Sequence, residues 1–296
     1  YAPYRILCDE WYREPVLDEE AYVRFCLDFC QVHGIDMFLP RRKLIAISRH
    51  KPEFEALGIK VMVDDYETVR LLNRKDLAYQ TLAERGVSTI PPYEIVTDVG
   101  AFRSAYHALA EQYRAVCFKF VYDEGGRSYH RIDNTPHGYH ALFSSRSACI
   151  TFDEACAALS ERETFAPLMV MPHLSGEEIS ADCLKTQDGT IILPRVKNAT
   201  RVERMCFSDE IMQNTAEVLN AVDLNCPCNV QFKMLDGKMY FLEVNTRMSG
   251  GIQYACEAAG VNIPDIAVQK LLGRQKKWEI CKEEKCVTYV ETPLVF

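Results

Sequence analysis

The sequence predicts an α/β lobe built on a small parallel sheet, followed by strand-rich α+β lobes. Three observations carry this. Apolar segments alternate strand, helix, strand, helix, strand up to Val63, the pattern of helices packed on parallel strands. From Val116 onward, short alternating strands dominate and helices only interleave. Near the C-terminal end, NVQFKML-DG-KMYFLEVN reads as a hairpin.

In order, residues 4–8 read as a short strand and 18–33 as an amphipathic helix ending near Gly34, a glycine placed to cap it. Residues 35–40 form a strand, 43–57 a helix closed by Gly58, and 59–63 a fully apolar strand. No glycine-rich turn follows the first visible strand, so a dinucleotide fingerprint is absent, and a preceding β-α unit before Tyr1 is expected. A long helix spans 66–85 and closes at Gly86; Pro91-Pro92 breaks the chain before a helix at 98–113. Strands are expected at 116–122, 128–133, 167–171, 178–184, 190–197, 229–235 and 238–245, with helices at 150–160, 208–222 and 252–273.

Composition narrows the function. With 296 residues, 48% of them hydrophobic, the chain can bury more than one core. A net charge of -8 is the wrong sign for non-specific nucleic-acid binding, so no nucleic-acid partner is expected. The 13 cysteines are scattered through helices and strands without paired zinc-type spacing; they read as buried thiols in a reducing cytoplasm. No apolar run approaches the ~20 residues of a membrane span, and no signal peptide is visible.

Chemistry enters at the hairpin. In residues 229–245 the even positions are apolar, so one face is buried. A two-residue turn at Asp236-Gly237 would set even residues against odd ones; a three-residue loop ending in a left-handed Gly237, with a bulge, is therefore expected. Gln231, Glu243 and Asn245 then share one face, a set of hard oxygen donors suited to Mg²⁺ held jointly with phosphates. An exposed polar strand face is the bland alternative. Arg247 and Ser249-Gly250-Gly251 follow, the latter opening a helix whose N–H groups can meet an anion.

These residues resemble the metal-binding hairpin of the ATP-grasp superfamily, closest to the carbamoyl-phosphate-synthetase-like and carboxylate–amine ligase branch. The likeness covers roughly residues 66–273. It implies a pre-ATP-grasp α/β domain over 1–65, a small subdomain with the linking helix over 66–166, and a large subdomain over 167–296, the last two forming the α+β ATP-grasp fold. It assigns Gln231, Glu243 and Asn245 to the metals, in a family where the first ligand is more often Glu. Lys75, with Arg74 as substitute, would contact phosphate; a solvated basic helix start is the alternative. Lys119, alone in the apolar strand AVCFKFVY, would meet the α-phosphate. Gly125, Gly126 and Arg127 would belong to a mobile loop over the β- and γ-phosphates. Met169, Val170 and Met171 would line the adenine, and Glu178 the ribose. Arg195 and Lys197, with Arg201 nearby, would neutralise phosphate or carboxylate, or else form a plain basic strand. Arg247 would hold the substrate carboxylate.

The resemblance implies an enzyme that uses ATP and Mg²⁺, or Mn²⁺, to activate a carboxylate as an acyl phosphate and join it to an amine. The partners expected are small molecules, not a membrane, with a homodimer as the family habit. A bicarbonate-using enzyme and a non-catalytic nucleotide-binding regulatory module are the alternatives.

Overall fold

The computed structural model describes residues 7–122, 127–135, 148–197 and 201–290. Its first lobe packs three helices on two strands. Helix α1 (Glu19–Val32) starts where Asp18 Oδ1 accepts a 2.8 Å bond from the Ala21 N–H and stops at a left-handed Gly34. Strands β1 (Met37–Phe38) and β2 (Lys60–Val61) pair in parallel. The helix expected over 43–57 divides into α2 (Leu44–Arg49) and α3 (Lys51–Ala56). Pro52 explains the break: it has no N–H to continue the ladder and its ring crowds the preceding turn. The strand expected over 4–8 falls mostly outside the described residues.

Asp64 fixes this lobe to the last one. Buried, it accepts from the backbone N–H of Asn225 at 2.6 Å and of Cys226 at 3.1 Å. Lys60 Nζ adds a bond to the Leu271 carbonyl. The expected 66–85 helix also divides, into α4 (Tyr66–Leu72) and α5 (Lys75–Glu84), where Arg74 adopts extended backbone.

A five-stranded sheet follows, ordered β3-β7-β4-β5-β6, from β3 (Glu94–Val96), β4 (Val116–Phe120), β5 (His130–Ile132), β6 (Cys149–Ile150) and β7 (Leu168–Pro172). Helices α6 (Val99–Ala110) and α7 (Phe152–Leu159) pack on it. Thr151 and Glu154 form a reciprocal capping box at α7. Strand β7 runs between β3 and β4, so this sheet continues to Pro172 and a division at 166/167 would cut through it.

The six-stranded antiparallel sheet, ordered β12-β11-β8-β9-β10-β13, holds β8 (Glu178–Thr186), β9 (Gly189–Lys197), β10 (Glu203–Met205), β11 (Cys228–Leu235), β12 (Lys238–Asn245) and β13 (Cys286–Val287). Helix α8 (Asp209–Ala221) covers it. The helix expected over 252–273 is two, α9 (Ile252–Ala259) and α10 (Ile263–Leu271). Gly260 at φ 70° ends the first, and the Asn262 side chain caps the second. One apolar cluster runs from Tyr79 and Leu82 of α5 through Met169 and Met171 to Ile179, Val230 and Phe232, joining both sheets.

The hairpin corrects the expected register. Leu235 faces Lys238, so the turn is two residues long, with Asp236 and Gly237 both at positive φ, 50° and 76°. That is the twist that suits a tight hairpin. The bulge lies inside the ladder instead: Gln231 faces Glu243 while Phe232 faces Phe241, leaving Leu242 as the extra residue. The apolar face of β12 therefore changes parity at Leu242. Phe241 is buried below it and Val244 above it, in place of the unbroken even-numbered face that the alternation predicts. The Tyr79 hydroxyl of α5 donates to the Phe241 and Leu242 carbonyls at 3.3 and 3.0 Å, where the ladder is interrupted.

Candidate active site

One cavity of about 700 Å³ lies between the two sheets. Its floor is the polar face of the large sheet, laid out in cross-strand rows by the strand registers. One row carries Glu203, Lys197, Glu178 and Lys233 on β10, β9, β8 and β11, alternating in charge. The next carries Arg195, Ser180, Gln231 and Glu243. The third sets Asn229 between Asp182 and Asn245. On the opposite face Ile179, Ala181 and Cys183 are core, so period-two alternation alone sorts β8 into a wet side and a dry side.

The three expected oxygen donors meet here. Glu243 lies opposite Gln231, and Asn245 two residues on keeps the same face. Asn245 Nδ2 donates to Glu243 Oε1 at 3.2 Å, and Gln231 Nε2 donates to Asn229 Oδ1 at 3.1 Å. In this orientation each amide turns its nitrogen to a neighbour and leaves its oxygen as the group able to face a cation. Lys75 Nζ stands 3.7 Å from the other Glu243 oxygen. Its place follows from α5, which Tyr79 ties to the bulge just below Glu243. The structure also separates Lys75 from Arg74. Lys75 lines the cavity, whereas Arg74 is paired with Asp76 and lies over the Tyr122 ring.

The donor set fits Mg²⁺. Among the described residues no three His, Cys, Asp or Glu side chains gather as a self-sufficient metal cage. One carboxylate and two amide oxygens suit a hard cation that completes its shell with phosphate and water.

Lys119 lines the cavity from β4, buried, with its ammonium 6.0 Å from the Tyr79 ring centre. Glu178 and Lys197 also line it and are paired to each other at 2.7 Å, each about a third exposed. Arg195 is different. It is 1% exposed, donates to Asp182 Oδ2 at 2.7 Å, pairs with Glu203 and reaches Ser249 Oγ at 3.3 Å. Its charge is thus largely spent inside the protein, though it borders the cavity. Arg247 is half-buried at the same end, beside Ser249, Gly250 and Gly251 at the start of α9.

Other expectations need correction. Met169 and Val170 are not among the residues lining the cavity, because their side chains are taken up by the cores on the two faces of β7. Met169 packs into the core shared by both sheets and Val170 into the core under α6. The stretch that does line the cavity runs from Met171 through Pro172 and His173 to Leu174. Arg127 is exposed and is not among the cavity-lining residues. Gly125 and Gly126 lie outside the described residues.

Sequence reasoning missed Asn229, Lys233, Tyr129 and His173. Asn229 was within reach, since it precedes Gln231 by two and must share its face. Lys233 follows by the same count. The Tyr129 hydroxyl and His173 Nδ1, 2.5 Å apart, join β5 to the end of β7, a contact with no local signal. Burial, with Lys233 and Arg131 nearby, lowers the His173 pKa, and burial raises that of Tyr129. Both shifts favour the neutral forms of the two groups.

Known proteins resemble this chain in sequence and in fold. A family model described as ATP-grasp in the biosynthetic pathway with Ter operon matches residues 164–293. The carbamoyl phosphate synthase large chain of Pseudothermotoga lettingae is 22% identical over 297 residues, covering 96% of this chain but 26% of that protein. The chain thus spans about a quarter of that relative's length. The biotin carboxylase of Campylobacter jejuni, solved with β,γ-ATP, superposes with a TM-score of 0.69 at 16% identity, over 93% of this chain and 64% of that one. The L-amino acid ligase of Bacillus licheniformis gives 0.60 at 16% identity, over 86% and 60%. At such identities the structural likeness fixes the fold alone.

Proposed function

We propose that this ATP-grasp protein is an ATP- and Mg²⁺-dependent ligase that activates a carboxylate as an acyl phosphate and joins it to an amine. The observation that carries the reading is the cavity itself. It sets Lys75, Lys119 and Arg247 around the oxygen donors Gln231, Glu243 and Asn245. Such a site has the parts phosphoryl transfer needs, positioning and charge stabilisation, and calls for no protein nucleophile.

In this reading Lys119 and Lys75 bind the nucleotide phosphates, and Glu178 with Met171–Leu174 borders the nucleoside. Gln231, Glu243 and Asn245 would hold Mg²⁺, which when bound neutralises phosphate charge. Arg247, with the N–H groups at the start of α9, orients the substrate carboxylate and then the acyl phosphate. A carboxylate oxygen attacks the γ-phosphorus and ADP leaves; the amine then attacks the acyl carbon and phosphate leaves. Gly125, Gly126 and Arg127 would shield the acyl phosphate from water. Lys197 is held by Glu178 and steadies the floor between the two ends. Mn²⁺ would replace Mg²⁺ in the same donor set. The likeness to carbamoyl phosphate synthase favours bicarbonate as one candidate carboxylate.

The lobes divide best at 1–65, 66–172 and 173–296, keeping β7 with its sheet. The 13 cysteines, scattered without a paired spacing, suit a reducing compartment such as the cytoplasm; no described helix is long and apolar enough to cross a membrane.

The test is ADP release measured against a panel of small carboxylates, each with and without amines. Turnover should require Mg²⁺ and both substrates. Glu243→Gln should abolish it and leave the unfolding midpoint in place. Turnover that survives this substitution refutes the metal site.

A further inference from the structure

A buried chain of hydrogen bonds leads from Arg195 to the cavity, and its direction is fixed at one end. Asp182 is fully buried and, as the salt-bridge partner of Arg195, is an acceptor only. Its Oδ2 accepts from Arg195 Nη2 at 2.7 Å and its Oδ1 from Asn229 Nδ2 at 3.0 Å. That turns the Asn229 amide one way. Reversed, its oxygen would face the carboxylate at that distance, two buried acceptors against each other. The Asn229 oxygen therefore points to Gln231 and accepts from Gln231 Nε2 at 3.1 Å. The Gln231 amide is turned in the same sense, nitrogen inward and oxygen toward the cavity. Ser180 sits beside Asn229, with its hydroxyl 3.0 Å from Nδ2 and 3.3 Å from Oδ1, and can serve either atom.

We propose that Asp182 and Asn229 are positioning residues that set the polarity of two amides in series, so that Gln231 presents oxygen and not nitrogen to the cation. The inference rests on the metal-site reading above. It explains the identity of residue 231. On charge alone Glu would bind a divalent cation better than Gln. Here Glu offers no N–H to Asn229, and one of its oxygens would meet the Asn229 oxygen. The buried carboxylate on the neighbouring strand thus excludes the more highly charged ligand.

The probe is Mn²⁺, titrated in the presence of a non-hydrolysable ATP analogue and followed by the spin-resonance signal of the free ion. Gln231 is half-exposed, so Gln231→Glu should fold, which thermal unfolding without nucleotide checks. This variant should weaken Mn²⁺ binding about tenfold or more, the usual effect of disturbing the partner of a metal ligand. Asn229→Ser should also weaken it, because the Gln231 amide is no longer held. In the double variant the serine hydroxyl can donate to the new carboxylate, so Gln231→Glu should cost far less, or gain affinity. The proposal is overturned if Gln231→Glu tightens Mn²⁺ binding while Asn229 is present, or if the two effects simply multiply. A folded wild-type protein that binds no Mn²⁺ with the analogue overturns the metal-site reading itself, and this inference with it.

Discussion

Gly251→Ala should destabilise the protein, although a rule based on backbone alone gives the opposite sign. Gly251 caps α9 at φ -108° and ψ 9°, a conformation open to alanine. At such a site Gly→Ala ordinarily gains about 0.4–1 kcal/mol by restricting the unfolded chain. But a Cβ there would lie 2.9 Å from Arg195 Cζ and closer still to Nη1. A guanidinium at the surface would swing aside at little cost. This one is 1% exposed and held by Asp182, Glu203 and Ser249. Moving it strains two ion pairs in a buried setting, where losing a partner costs about 3–5 kcal/mol. Set against the backbone gain, the net loss should be about 2–4 kcal/mol. Urea unfolding of Gly251→Ala beside Gly250→Ala is the assay, because a Cβ on Gly250 meets nothing within 4 Å and that change should be near neutral. In an Arg195→Met background the Gly251→Ala penalty should shrink sharply. A Gly251→Ala protein as stable as wild type would show that Arg195 is not packed against this glycine.

Three further outcomes follow from the geometry. Tyr79→Phe should cost about 1–3 kcal/mol of stability by urea unfolding, because the bulge carbonyls of Phe241 and Leu242 lose their donor; no change would mean other groups satisfy them. Lys75→Met should weaken ADP binding by calorimetry about tenfold or more, while Arg74→Met should change it little, since only Lys75 lines the cavity; the reverse order would exchange their roles. The lowered His173 pKa means that the unfolded chain takes up the proton first as pH falls below about 6.5. Its contribution to stability is complete above that pH and is lost through the interval down to the folded-state value, so His173→Gln should flatten the slope of stability against pH there.

The sequence by itself determined which polar side chains share a strand face, Gln231, Glu243 and Asn245 among them. Period-two alternation put Glu178, Ser180 and Asp182 on one side of β8, and put Glu243 with Asn245 on β12, because successive side chains on a strand must point opposite ways. It also located most strands, and helix ends at Gly34, Gly58 and Gly86, where positive φ favours glycine. It misplaced the hairpin bulge, because apolar residues on both faces near Leu242 hide where the parity changes; only Tyr79, from a helix far away in sequence, marks that point. Local pattern also could not show that both faces of β7 would be covered by cores, which take up Met169 and Val170 and leave His173 and Leu174, beyond the strand, to line the cavity. The spending of Arg195 on Asp182 and Glu203 is likewise tertiary. A strand sequence fixes which way a cation points, and only the neighbouring strands decide whether a carboxylate is already waiting there.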